Sequence, residues 1–137
     1  MGLMVDTNVF IRFEKSDQPI ILSQWEPTER VYVSAMTVSE LLMGVHRANT
    51  EERRNRRAQF VEAVIASVTV LDFTAGCARV HAELYAKLAS KGKMIGAHDL
   101  IIAATARHHD LSILTDNVDE FSRVPELRVI PFVLSPT

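Results

Sequence analysis

A single cysteine, Cys77, stands in the 137 residues, so no internal disulfide can form and a reduced compartment suits the chain. Glycine is also scarce, at five residues, and there is no Walker loop, Gly-x-Gly-x-x-Gly fingerprint or Gly-x-Ser-x-Gly elbow, which disfavours nucleotide-cofactor and serine-hydrolase chemistry. Aromatic residues make up 7%, and Phe10, Phe13 and Trp25 are not interleaved with basic residues. They suit a core or an apolar groove better than a base-stacking platform. Long apolar runs are missing: the uncharged stretches 63–71 and 100–106 fall far short of the roughly 20 residues a spanning helix needs. The opening Met1-Gly2-Leu3-Met4-Val5-Asp6 lacks a basic n-region, its apolar run ends at Asp6, and Gly2 is not followed by the Ser or Thr of a myristoylation signal. A soluble, cytoplasmic protein without a membrane partner is the expectation.

What is present fits a globular chain. Hydrophobic residues reach 47% and charged residues 23%, and the length is that of one domain, expected to span 1–137. A chain of this size buries roughly two-thirds of its unfolded surface, enough for a core without metal or disulfide. Leu3-Met4-Val5 stopping at Asp6-Thr7-Asn8 reads as a buried strand running into a helix. Val31-Tyr32-Val33-Ser34 reads as a strand or a helix entry, and Val38, Leu41, Leu42 and Val45 then follow a helical period. A charged helix over about 51–66 comes next, then Val68-Thr69-Val70-Leu71 as a core strand. Thr74 is placed to cap a helix that stops at Lys91-Gly92, and Asp99 to begin one that is apolar on nearly every side. Leu111-Ser112-Ile113-Leu114-Thr115 is a strand, and segments around Val129 and Phe132 form an edge that tolerates Pro131. Alternating strands and helices imply a three-layer α/β/α domain with a mainly parallel central sheet.

The formal charge of −2 gives little footing for nucleic acid by itself, but the basic residues are uneven: Arg47, Arg53, Arg54, Arg56 and Arg57 crowd one stretch. They form either a solvated helix face with local ion pairs or a patch for phosphates. In open α/β sheets chemistry gathers beyond the carboxyl ends of the strands. Asp6 and Asp116 each follow a strand there, while Glu40 and Asp99 fall in helix starts that open on the same edge. Each acid has a plainer use: Thr37-x-x-Glu40 and Asn117-x-x-Glu120 match capping boxes, Asp6 and Asp116 could cap helices, and Asp99 suits a helix dipole. Capping does not explain a shared edge, where carboxylates would repel each other unless a cation neutralised them. Oxygen donors without a Cys or His cluster select Mg²⁺ or Mn²⁺ over zinc.

The Asp6-Thr7-Asn8 start, Ser39-Glu40-Leu41-Leu42-x-Gly44, the Asp99-Leu100-Ile101-Ile102-Ala103-Ala104 helix and the Leu114-Thr115-Asp116-Asn117 turn together resemble a PIN domain, in that family's order and near its spacing. The tail from Phe121 to Val129 is similar to the end of VapC-type toxins of toxin-antitoxin pairs. The resemblance covers essentially the whole chain. It implies a PIN-like nuclease domain in which Asp6, Glu40, Asp99 and Asp116 hold one or two Mg²⁺ or Mn²⁺ ions, with Thr7, Asn8 and Thr115 orienting them and Asp119 a possible extra ligand. It further implies an endoribonuclease that hydrolyses RNA with a metal-activated water, a cognate VapB-like antitoxin and a homodimer. Removing those four acids turns −2 into +2, which leaves Arg47, Arg53, Arg54, Arg56 and Arg57 as candidates for RNA contact.

Three rival readings stand beside it. A non-catalytic PIN-like protein-binding module would use the acids only as caps. A phosphohydrolase beginning Asp-x-Asp would need an acid where Asn8 stands. His98, His108 and His109 match no zinc spacing, and the one cysteine is far away in sequence, so histidine ligation is set aside. Asp72 and Asp110 read as turn or cap residues.

Overall fold

The computed structural model describes residues 2–20 and 30–134. Trp25 lies outside the described residues. The elements run β1 (Leu3–Val5), α1 (Thr7–Ser16), β2 (Val31–Ser34), α2 (Ala35–Arg47), α3 (Glu51–Ser67), β3 (Thr69–Leu71), α4 (Ala75–Ser90), α5 (Ala97–His108), β4 (Ser112–Thr115), α6 (Val118–Phe121) and β5 (Val129–Pro131). The five strands form one sheet in the order β3-β2-β1-β4-β5, and every pairing is parallel. β1 therefore lies at the centre, so Asp6 leaves the sheet at its middle.

Strand side chains alternate between faces, and each face has its own core. Leu3, Val5 and Leu114 join Val9, Phe10 and Phe13 of α1, Leu41 and Val45 of α2, and Val61 and Val64 of α3. Met4 and Ile113 face the other way, onto Leu84 and Leu88 of α4 and Leu100, Ile102 and Ala103 of α5. Helices on both faces of a parallel sheet make three layers, as the strand–helix alternation implies.

Three local expectations need correction. The 68–71 segment is not a core strand: β3 pairs only with β2, and Thr69 is exposed at the sheet edge. α2 begins before Thr37, because Ser34 takes the cap and its Oγ accepts the Met36 amide at 3.0 Å. Glu40 accordingly sits in the second turn, and the Thr37–Glu40 capping box does not form. α5 begins at Ala97, which leaves Asp99 as its third residue. Thr74 does cap α4, its hydroxyl accepting the Cys77 amide at 3.2 Å, and Lys91 and Gly92, at φ 64°, end it. Pro131 closes the edge strand β5.

Candidate active site

Asp6 continues β1 past the sheet, and its amide still donates to the Leu114 carbonyl at 3.0 Å. The residue is 2% exposed. Although it stands at the N-cap position of α1, its side chain makes no capping bond. Instead Oδ2 accepts from the Thr115 hydroxyl at 2.8 Å, and that hydroxyl accepts the Asn117 amide at 2.9 Å. Burial pushes the Asp6 carboxyl up to about 6, against the lowering by the Thr115 and Thr7 hydrogen bonds, with the charges of Glu40 and Asp116 adding to the rise.

The second turn of α2 carries Glu40 toward the start of α1. Thr7 Oγ1 lies 2.7 Å from Glu40 Oε1 and 3.0 Å from Thr37 Oγ1. With one proton to give, Thr7 donates to the carboxylate, the stronger acceptor, and the Thr37 hydroxyl donates to Thr7. The other Glu40 oxygen is 3.4 Å from His98 Nδ1, which leads α5.

Asp99 lies in the first turn of α5, and its carboxyl is pushed up to about 7. Burial is the first cause, followed by the charge of Asp6, the charge and hydrogen bond of Glu120, and the charge of Glu40. Asp116 follows β4 and is paired with Arg12 of α1 at 2.8 Å. Its charge is felt at Asp6, so all four expected acids meet at one edge.

A fifth acid joins them. Glu120 of α6 accepts the Gly96 amide on one oxygen and the Asn117 side-chain amide, at 2.6 Å, on the other. Those bonds, with the one to Asp99 and the charge of Arg123, hold Glu120 below the usual carboxylate range. Glu120 therefore favours the protonated form of Asp99 beside it. A side chain at Gly96 would press on both carboxylates, with its Cβ 3.3 Å from Glu120 Oε1 and 3.4 Å from Asp99 Oδ2. The Asn117-x-x-Glu120 pattern is therefore no capping box, since the Asn117 side chain makes no cap bond to α6. Asp119, the neighbour expected as an extra ligand, is exposed, and its side chain makes no hydrogen bond or ion pair among the described residues. The exposed Asn8 side chain likewise makes no hydrogen bond among the described residues.

The arginines divide into two sets. Arg57 is a strut, donating to the Gly44 carbonyl at 2.9 Å and pairing with Glu14 at 3.4 Å, and Arg54 donates to the Ala48 carbonyl at 3.0 Å. Arg47, Arg53 and Arg56 are exposed; Arg53 reaches Asn49 and Arg56 reaches Glu52 within their own surface. A groove of about 290 Å³ between α1, α2 and α3 has Glu40, Arg47 and Arg57 in its walls, so it runs from the acids toward the basic stretch. At the far end of α5, the ligand atoms of Cys77, His108 and His109 lie within 4.8 Å of one another. Cys77, distant in sequence, is thus brought beside His108 and His109, whereas His98 lies with the acids at the other end of α5.

A parallel sheet with five carboxylates, from three helices and two strand ends, gathered at its carboxyl edge is the layout of a PIN-type nuclease fold. The PIN domain family model matches residues 3–127. A "Ribonuclease VapC" of Rickettsia bellii is 37% identical over 95% of this chain and 96% of its own length. A "tRNA(fMet)-specific endonuclease VapC" of Salmonella typhimurium is 32% identical over 94% of this chain and 96% of its own. The crystal structure of DNA-bound VapBC from Salmonella typhimurium superposes with a TM-score of 0.86 at 30% identity, covering 96% of this chain and 98% of that one. The chain belongs to the PIN-domain family, among its VapC ribonucleases.

Proposed function

We propose that the chain is a Mg²⁺- or Mn²⁺-dependent endoribonuclease and the toxin of a cytoplasmic toxin-antitoxin pair. The observation that carries this reading is the gathering of Asp6, Glu40, Asp99, Asp116 and Glu120, with Asp6 and Asp99 pushed up to about 6 and about 7. Such a cluster is short of positive charge, and its donors are carboxylate oxygens of the kind that hard divalent ions take. Asp6, Glu40, Asp99 and Asp116 would hold the ion. When bound, it lowers the pKa of a water and stabilises the charge that grows on the phosphate and the leaving oxygen.

The remaining groups prepare that chemistry. Thr115 fixes Asp6 and Thr7 fixes Glu40, so each presents its other oxygen in a set direction. Glu120 raises the proton affinity of Asp99, and a cation set between the acids would lower it again. Arg12, on the rim beside Asp116, offers a guanidinium to the RNA backbone. The groove past Glu40 to Arg47 leads the strand away over the exposed arginines. Against a capping-only role stand the missing side-chain cap bonds of Asp6 and Asn117 and the place of Glu40 beyond the first turn, although Asp99 does sit in the first turn of its helix.

A VapB-like antitoxin fits the same groove, with a cation set against the acids, and a homodimer would set two such grooves side by side. The test is incubation of total RNA with the purified chain, free of antitoxin, in Mg²⁺ or Mn²⁺. Discrete fragments that vanish with EDTA are expected; an RNA pool left intact under every ion condition would overturn the reading.

A further inference from the structure

The α4–α5 pair places a second set of donors at the end of α5 away from Asp99. Cys77 belongs to the first turn of α4, while His108 ends α5 and His109 is its C-cap. His108 lies nine residues from Asp99, roughly 13 Å along the helix at about 1.5 Å per residue. The Cys77 sulfur and one nitrogen from each histidine are mutually within 4.8 Å, close to the roughly 3.5 Å edges of a tetrahedral site with Zn–S near 2.3 Å and Zn–N near 2.0 Å. Ligation would require the two exposed imidazoles to rotate inward onto the sulfur.

Two further observations shape the place. The His108 ring is seated on the bare Cα of Gly76: a methyl there would collide with Cε1 and Nε2 of the ring. Only glycine lets the imidazole lie beside the residue that carries the thiol. The Cys77 sulfur, itself buried, already accepts from the Thr74 hydroxyl at 3.4 Å and faces the Asp72 carbonyl at 3.7 Å. Both histidines are exposed, so an ion reaches the sulfur from their side, and their rings stand nearly perpendicular, at 78°.

We infer that Cys77, His108 and His109 form a thiophilic metal site for Zn²⁺, separate from the carboxylate cluster and joining the N-terminal turn of α4 to the C-terminal end of α5. One sulfur and two imidazole nitrogens are the donor set of a borderline-soft ion, whereas the acids at the other end suit a hard one. Binding replaces the thiol proton, released to solvent, and leaves the fourth position to water. The consequence is a staple across the helix pair that carries Asp99.

Cobalt absorption spectroscopy on the untagged protein tests this. Co²⁺, standing in for Zn²⁺, should give thiolate-to-metal charge transfer in the near ultraviolet, saturating at one equivalent. Zn²⁺ should erase the band and excess Mg²⁺ should not. It should persist in Asp99→Asn and disappear in Cys77→Ala. Because Cys77 is buried, His108→Ala and His109→Ala, both at exposed positions, serve as independent variants and should weaken binding sharply. Gly76→Ala keeps every ligand but displaces the His108 ring, with an expected loss of about tenfold or more in affinity. Absence of charge transfer in the wild type, or a band that survives in the His108→Ala/His109→Ala double variant, would overturn the inference.

Discussion

Asp6 and Asp99 bind protons more tightly in the folded chain than in the unfolded one, because folding takes them out of water and sets other acids beside them. A carboxyl raised on folding contributes stability that is complete below its unfolded value of 3.8 and lost as pH rises through about 6 for Asp6 and about 7 for Asp99. Ion-free protein should therefore show a falling urea midpoint between about pH 4 and about pH 7, and saturating Mn²⁺ should recover most of the loss at the upper end. A midpoint that rises across that window would contradict the assignment. Thr115 offers a second check, because it holds Asp6 from a position too buried to touch substrate. Thr115→Val should weaken Mn²⁺ binding by about 10- to 100-fold while the far-ultraviolet spectrum stays native.

At the scale of elements, most of the frame was legible. The strands at Leu3, Val31 and Ser112 and the buried helix around Ile102 announce themselves through β-branched runs and apolar periods, and the acids at Asp6, Glu40, Asp99 and Asp116 through their place after strands or near helix starts. What was not legible depended on tertiary contact. The Thr37–Glu40 spacing imitates a capping box, yet Ser34, three residues upstream, ends a strand and takes the cap first. Ser34→Ala should accordingly cost about 1 kcal/mol in chemical denaturation, whereas a cap at Thr37 would leave Ser34 without such a role. Glu120 was hidden for a related reason: its partners Gly96 and Asp99 lie over twenty residues away, joined to it only when α6 folds against the start of α5. Cys77 and the two histidines meet in the same way, across an antiparallel helix pair that no local spacing reveals.

Taken whole, the molecule carries a formal charge of −2, and five of its 17 acidic residues stand in the cluster that a divalent ion would neutralise. Attraction to RNA then rests on exposed cations, and of the crowded arginines Arg47, Arg53, Arg54 and Arg56 are exposed, with Arg54 and the half-buried Arg57 also bracing the backbone. Replacing Arg47, Arg53 and Arg56 by alanine should weaken RNA binding across sequences and flatten the plot of log affinity against log salt by about 2, at about 0.7 per phosphate contact on a single strand. An unchanged slope would move the RNA path elsewhere. Among the described residues, no helix is long and apolar enough to cross a membrane.

The central claim, that the carboxyl edge of the sheet is a divalent-ion centre, is met most directly by titrating Mn²⁺ into the protein near pH 7.5 and following the free ion by electron paramagnetic resonance. The wild type should bind saturably, Cys77→Ser should bind alike, and Asp99→Asn should lose about tenfold or more in affinity. No saturable binding by the wild type, or equal binding by Asp99→Asn, would contradict it.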